Sequence, residues 1–231
     1  MRKHKIMLLC FFIFLFIYLE FIYHIFVFNN ITFNFLYVLF FSISFGTLFY
    51  LLSSLFNKLA NNIISYVLTI ALIVLFISNF IYYKVYISVI SIYSMIHGGQ
   101  VFGFMERIIA VATRYWYVML LMILPIFILI TLNVISREYF NKISWKSKGI
   151  LALCLIFSYL TSIIGINLID TKKIYSNKNL YYNMHSPLLT VERLGLTTMY
   201  KLDLQRTIFG FTEKTLLPEK KKTNESEIII I

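Results

Sequence analysis

Five apolar runs dominate the chain, at residues 6–28, 31–56, 63–83, 117–135 and 149–169. A helix needs about 20 residues to cross the hydrocarbon of a bilayer, and each run reaches roughly that length. In lipid every backbone N–H and C=O must find its partner inside the protein, which an isolated helix achieves and an isolated strand does not. The runs therefore predict an all-α integral membrane protein with five transmembrane helices. Only 13% of the residues are charged, against about 25% in a soluble domain, which points the same way. MRKHK gives the first run a basic start, as in a signal peptide. The run is too long for one, however, and offers no small-residue cleavage site, so it reads as a spanning helix that stays in place.

The net charge of +11 would suit nucleic acid if it formed a patch. Instead the basic residues cluster at the ends of apolar runs and in the tail, so no nucleic-acid partner is expected. With the N-terminus inside, the inner segments hold Arg2, Lys3, Lys5, Lys58, Arg137, Lys142, Lys146 and Lys148, and the short outer ones Lys84, Arg107 and Arg114. That imbalance favours a cytoplasmic N-terminus. Five spans then place the tail, residues 171–231, outside a bacterial cell membrane.

Between the runs, Asn29–Asn30 reads as a tight turn and NKLANN, at 57–62, as a polar loop. Residues 85–116 read as an outer interfacial hairpin of two amphipathic helices around HGGQ at 97–100. Its first half carries Ser88, Ser91, Ser94 and Gly98 as a polar stripe. Its second half carries Val101, Met105, Ile108, Ala112 and Tyr115 on one face. If residues 85–105 crossed the bilayer, the span count would become even and the tail would move inside. Pro125 removes a backbone hydrogen bond midway along the fourth run and predicts a kink.

The tail is polar except for SPLLTVERLGLTTMYKLDLQRTIFGF, residues 186–211. Ser186 suits an N-cap, Pro187 a first helical position and Gly195 a helix stop, predicting short helices at 187–194 and 197–209. In the second, Tyr200, Leu204, Ile208 and Phe211 recur at helical spacing and define the expected packing face. Asp203 and Arg206, three apart, are placed to pair on its surface.

Few residues invite chemistry. Glu20 lies well inside the first run, with His24 one turn later on the same face. A carboxylate at such depth costs several kcal/mol, so it must face other helices, a polar cavity or head groups. The pair reads as an intramembrane polar or proton-handling site, or as an interhelical hydrogen bond. Asn79, Asn133 and Asn167 read the same way. Lys84, Arg107 and Arg114 border the interfacial hairpin and suit either anchoring or the phosphate of an anionic lipid such as phosphatidylglycerol. The histidines are too scattered for metal ligation, and Cys10 and Cys154 lie in apolar runs and make no disulfide framework. No catalytic residue set, nucleophile elbow or phosphate-binding glycine loop is present in the sequence.

LGLTTMYKLDLQRTIFGF at 194–211, preceded by five apolar runs and by YSMIHGGQVFGFM at 93–105, resembles the segment that joins the membrane part to the outer domain in lipoteichoic acid synthase-like phosphoglycerol transferases. These belong to the sulfatase and alkaline phosphatase superfamily. The resemblance implies an outer catalytic domain with a threonine nucleophile and a divalent metal, commonly manganese, moving glycerol phosphate from phosphatidylglycerol. None of its motif residues maps onto this sequence, so no cofactor is expected here. The implied role is the membrane and linker half of such an enzyme, truncated or working with a separately encoded sulfatase-like domain. Two alternatives stand beside it: a stand-alone membrane protein binding lipid or a partner at its outer face, and a small transporter-like bundle.

Overall fold

A computed structural model describes residues 2–92, 105–135, 140, 143–169 and 175–210. Helix α1 covers Arg2–Phe28, α2 Phe35–Leu52, α3 Lys58–Tyr86, α4 Met105–Arg114, α5 Trp116–Ile135, α6 Trp145–Ile169, α7 Asn177–Asn183, α8 Pro187–Leu194 and α9 Leu196–Phe209. No strand occurs among the described residues. The protein is an all-α membrane protein, and α1, α2, α3, α5 and α6 are each long and apolar enough to cross a bilayer.

The turns explain where the spans depart from the apolar runs. Helix α2 is shorter than 31–56 because Ser53 and Ser54 fold their hydroxyls back onto the carbonyls of Tyr50 and Leu51. These local bonds compete with continued helix. NKLANN is not a loop. Asn57 is the N-cap of α3, its side chain accepting from the Ala60 N–H at 2.9 Å, and Lys58 to Asn62 form the first turns. Asn61 pins the preceding turn by bonding both backbone groups of Phe56, and it also donates to the Phe140 carbonyl. Helix α3 runs past Lys84 to Tyr86 and ends on Ile87, which is left-handed at φ 54°. Residues 87–91 are therefore not helical, contrary to the stripe expected from Ser88. The Ser94, Gly98 and HGGQ part of that reading lies outside the described residues.

Helix α1 is the centre of the bundle. Leu8, Phe12, Leu15, Phe16, Leu19 and Tyr23 are fully buried, because α2, α3 and α5 all pack on it. Helices α1 and α2 approach tightly at Gly46, where a Cβ would fall 2.6 Å from the Ile13 Cα. Backbone cannot yield as a side-chain tip can, so Gly46→Ala must push the two helices apart. We expect a loss of about 1–3 kcal/mol, read as a lower unfolding midpoint in detergent. Helix α6 packs chiefly on α2, and Ser44 and Ser158 share a 2.7 Å hydrogen bond across that contact. Helix α5 continues through Pro125, which cannot donate to the carbonyl of Leu121 one turn earlier. The Tyr18 hydroxyl of α1 donates to that carbonyl at 2.9 Å, so the freed acceptor is satisfied from a neighbouring helix.

The tail is not a free linker, because α7, α8 and α9 pack onto the bundle. Helix α7 was not expected from the sequence. Seven residues rich in Asn and Tyr carry little helical propensity. Ser176 caps it, and Leu180 and Tyr181 are buried, with Tyr181 stacked on Phe41 and bonded to Tyr159 at 2.6 Å. In α9 the buried face is Leu196, Met199 and Leu202 with Thr198 and Asp203. Of the face expected at Tyr200, Leu204, Ile208 and Phe211, Leu204 and Ile208 are exposed, Tyr200 is half-buried against the core, and Phe211 lies outside the described residues. The helix has apolar residues on two sides, so spacing alone could not tell which one packs.

Candidate functional site

The tail meets the bundle at one turn of α1. Gly195 links α8 to α9 in a sharp elbow, with φ 92° and ψ 156°. The first N–H groups of any helix lack internal partners. Here they point at Glu20. Its Oε2 accepts from the Leu196 N–H at 3.0 Å, and its Oε1 accepts from the Thr197 N–H at 3.0 Å and the Thr197 hydroxyl at 2.9 Å. Among the described residues three donors face the carboxyl oxygens, an arrangement that suits the ionised form. Glu20 thus acts as an N-cap supplied from 176 residues away, on the end of α9 where the helix dipole favours an anion.

His24 holds the other side of the elbow. Its Nε2 lies 3.1 Å from the carbonyl of Glu192, in the last turn of α8, where carbonyls lack helical partners. Its Nδ1 lies 2.8 Å from the Glu20 carbonyl and 3.8 Å from the Glu20 carboxylate. One turn of α1 therefore grips the end of α8 through an imidazole and the start of α9 through a carboxylate. Both side chains are buried, Glu20 completely. Phe28 and Phe35 close over the imidazole.

Glu20 precedes the end of α1 by eight residues, so at 1.5 Å per residue the elbow enters the bundle by about 12 Å. Irregular backbone at such depth is tolerated only when protein covers it and supplies its hydrogen bonds. Val191, Leu194, Leu196 and Met199 provide the cover and are fully buried. Asn79 of α3 donates to the Tyr200 hydroxyl at 2.8 Å and accepts from the Ile90 N–H. Asp203 accepts from the Ile92 N–H at 2.6 Å, stitching the segment after α3 to α9. Asp203 and Arg206 thus each reach backbone, Arg206 donating to the Tyr182 carbonyl. Burial, with the nearby Asp203 adding to it, pushes the Tyr200 phenol up to about 12, and Tyr181 is also pushed up. Both phenols stay neutral at ordinary pH. Asn167 donates to Tyr182 and Asn133 to Tyr66, so all three intramembrane asparagines tie elements together.

The basic candidates gather elsewhere. Lys84 donates to the Phe26 carbonyl at 2.8 Å, capping the end of α1, and its Nζ sits within 6 Å of the Phe80, Tyr83 and Tyr115 rings. Arg114 packs its guanidinium on the same Tyr115 ring, 5.6 Å from its centre. Arg107, two turns earlier on α4, is exposed, as is Arg114. Lys84 is thus part of the scaffold, and the two arginines of α4 lie on the exposed surface. Among the described residues, no three His, Cys, Asp or Glu side chains gather as a metal site.

Sequence reasoning singled out Glu20 and His24 but missed their partners. Gly195, Thr197 and the Glu192 carbonyl carry no signal that points to a position so far back in the chain. No protein-family model, curated relative or solved structure matches the chain, so its role rests on this geometry.

Proposed function

We propose that the chain is a membrane anchor that holds a helical elbow, and with it whatever follows Gly210, at a fixed place at one face of the membrane. The observation that carries this reading is the grip of Glu20 and His24 on the two helix ends at Gly195. A mere tether would need no buried ionisable pair, whose desolvation is costly. The LGLTTMYKLDLQRTIFGF stretch, which resembles the linker of lipoteichoic acid synthase-like phosphoglycerol transferases, falls on this elbow. That supports a role beside a sulfatase-family domain acting on phosphatidylglycerol outside the cell membrane, with the N-terminus cytoplasmic and any manganese held by that domain. The exposed Arg107 and Arg114 suit the anionic head group of such a lipid. A transporter-like role gains nothing from Glu20, whose oxygens are occupied by the elbow.

A reporter fused after Phe211 of this chain tests the reading. Activity on the extracytoplasmic side is the expected result. A cytoplasmic signal would put the elbow on the wrong face for an outer enzyme and overturn it.

A further inference from the structure

Helix α9 meets three spans at one depth. The Leu196 and Thr197 N–H groups reach Glu20 of α1, the Tyr200 hydroxyl accepts from Asn79 of α3, and the Lys201 ammonium lies 5.4 Å from the centre of the Tyr159 ring of α6. Glu20, Asn79 and Tyr159 precede the ends of their spans by eight, seven and ten residues. At 1.5 Å per residue they lie about 10–15 Å inside those ends, which are on the same side of the bundle. Helix α9 therefore crosses the bundle at this level and does not climb straight out of it. Leu204 follows Tyr200 by one turn, a rise of at most about 6 Å, so it stays below the span ends whichever way the helix leans.

The side chains of α9 are arranged inside out. A helix in water turns its apolar stripe inward and its charges outward. Here Thr197, Thr198 and Asp203 are buried, and Leu204, Ile208 and Phe209 are exposed. The charged groups turn back to the protein. Asp203 accepts from the Ile92 N–H, and Arg206 donates to the Tyr182 carbonyl. Lys201 folds over the Tyr159 and Tyr181 rings and donates to Gln205. A charge in hydrocarbon is costly unless protein supplies its partners, so this distribution suits a helix bordered by lipid. Beside Tyr159, Leu160 and Ile164 of α6 are exposed as well, so the apolar surface of α9 continues that of a span.

We infer that Leu204, Ile208 and Phe209 are seated among the acyl chains of the leaflet in which α1 ends, so that α9 is a re-entrant membrane helix and not a helix in water. Whatever follows Gly210 then leaves the protein close to the head groups. Depth does not depend on which side of the membrane the elbow faces, so the inference goes beyond the anchor reading.

The test uses the full chain in lipid nanodiscs, with Cys10 and Cys154 replaced by alanine and one nitroxide spin label at a time. Leu36→Cys and Phe40→Cys, one and five residues into α2, and Phe14→Cys, fourteen residues before the end of α1, are exposed sites that form a depth ruler. Oxygen concentrates among acyl chains and a neutral nickel chelate in water, so the ratio of their collision rates with a label rises with depth. At Leu204→Cys the ratio is expected to fall between those of Leu36 and Phe14, and at Ile208→Cys to be no lower than that of Leu36. A ratio at Leu204 below that at Leu36 places the face in water and overturns the inference. A label shielded from both reagents means that protein covers the face, a second copy included, and overturns it as well. Paired labels at Leu36 and Leu204 report whether α9 is docked, and a distance spread over many values would mean that the helix is not seated at all, with the same consequence. A second pair, at Phe14 and Phe40, verifies that the bundle is assembled. The reporter after Phe211 reads the side of the membrane and these labels read depth, so the two proposals fail separately.

Discussion

Glu20→Ala should release the elbow from the bundle and lower stability by about 2–6 kcal/mol, about 1–3 kcal/mol for each of two buried N–H groups left without an acceptor. The substitution strands the N–H groups of Leu196 and Thr197, which the protein covers from solvent, and leaves His24 without its carboxylate. Limited proteolysis between α7 and α9 and the thermal midpoint in nanodiscs would report the two consequences. Thr197→Val separates the cap from general packing. It removes one of the three bonds to the carboxylate and keeps the side-chain volume, so its effect should be smaller, about 1.5–3 kcal/mol for a hydrogen bond to a charged group. No effect from Thr197→Val beside a full one from Glu20→Ala would mean that Glu20 acts by filling space and not by capping α9.

The spans were legible because lipid imposes one solution on a long apolar run, and that constraint is local. The ends of α8 were legible for the same reason: Ser186, Pro187 and Gly195 act within a few residues of themselves. What depends on distant chain was not. Glu20 stood out as a carboxylate where none should be free, but nothing near it in the sequence names Leu196 and Thr197 as its donors. Lys84 looked like a lipid contact because a cation at a span end usually is one. Its actual partner is the Phe26 carbonyl, whose lack of a helical partner is visible only once α1 is known to end at Phe28. The α9 face went wrong because two apolar stripes compete, and the docked one is chosen by the elbow at Gly195 and not by periodicity. Helix α7 exists through its contacts with Phe41 and Tyr159, which no propensity scale contains.

Gly195→Ala should come close to Glu20→Ala in effect, through a different cause. At φ 92° and ψ 156° the residue occupies a region essentially reserved for glycine, and an L-residue there costs about 1–3 kcal/mol. An added Cβ would also lie 3.0 Å from the Glu20 Oε1 and 3.1 Å from a Val38 methyl. Val38 is fully buried and the Glu20 oxygen is held by Thr197, so neither can step aside cheaply. Crowding of this kind adds about another 1–3 kcal/mol. The chain can relieve both at once by withdrawing the elbow, because the α8–α9 junction is what occupies this space. Undocking with an intact five-helix bundle is therefore the expected result, seen as a longer distance between Leu36 and Leu204 labels and an unchanged one between Phe14 and Phe40. Val38→Ala separates the two causes. It opens room beside the new methyl but leaves the backbone strained, so it should recover part of the docked fraction in the double variant and not all of it. Full recovery would show that crowding alone reserves this position for glycine, and no recovery would assign the requirement to the backbone of the elbow.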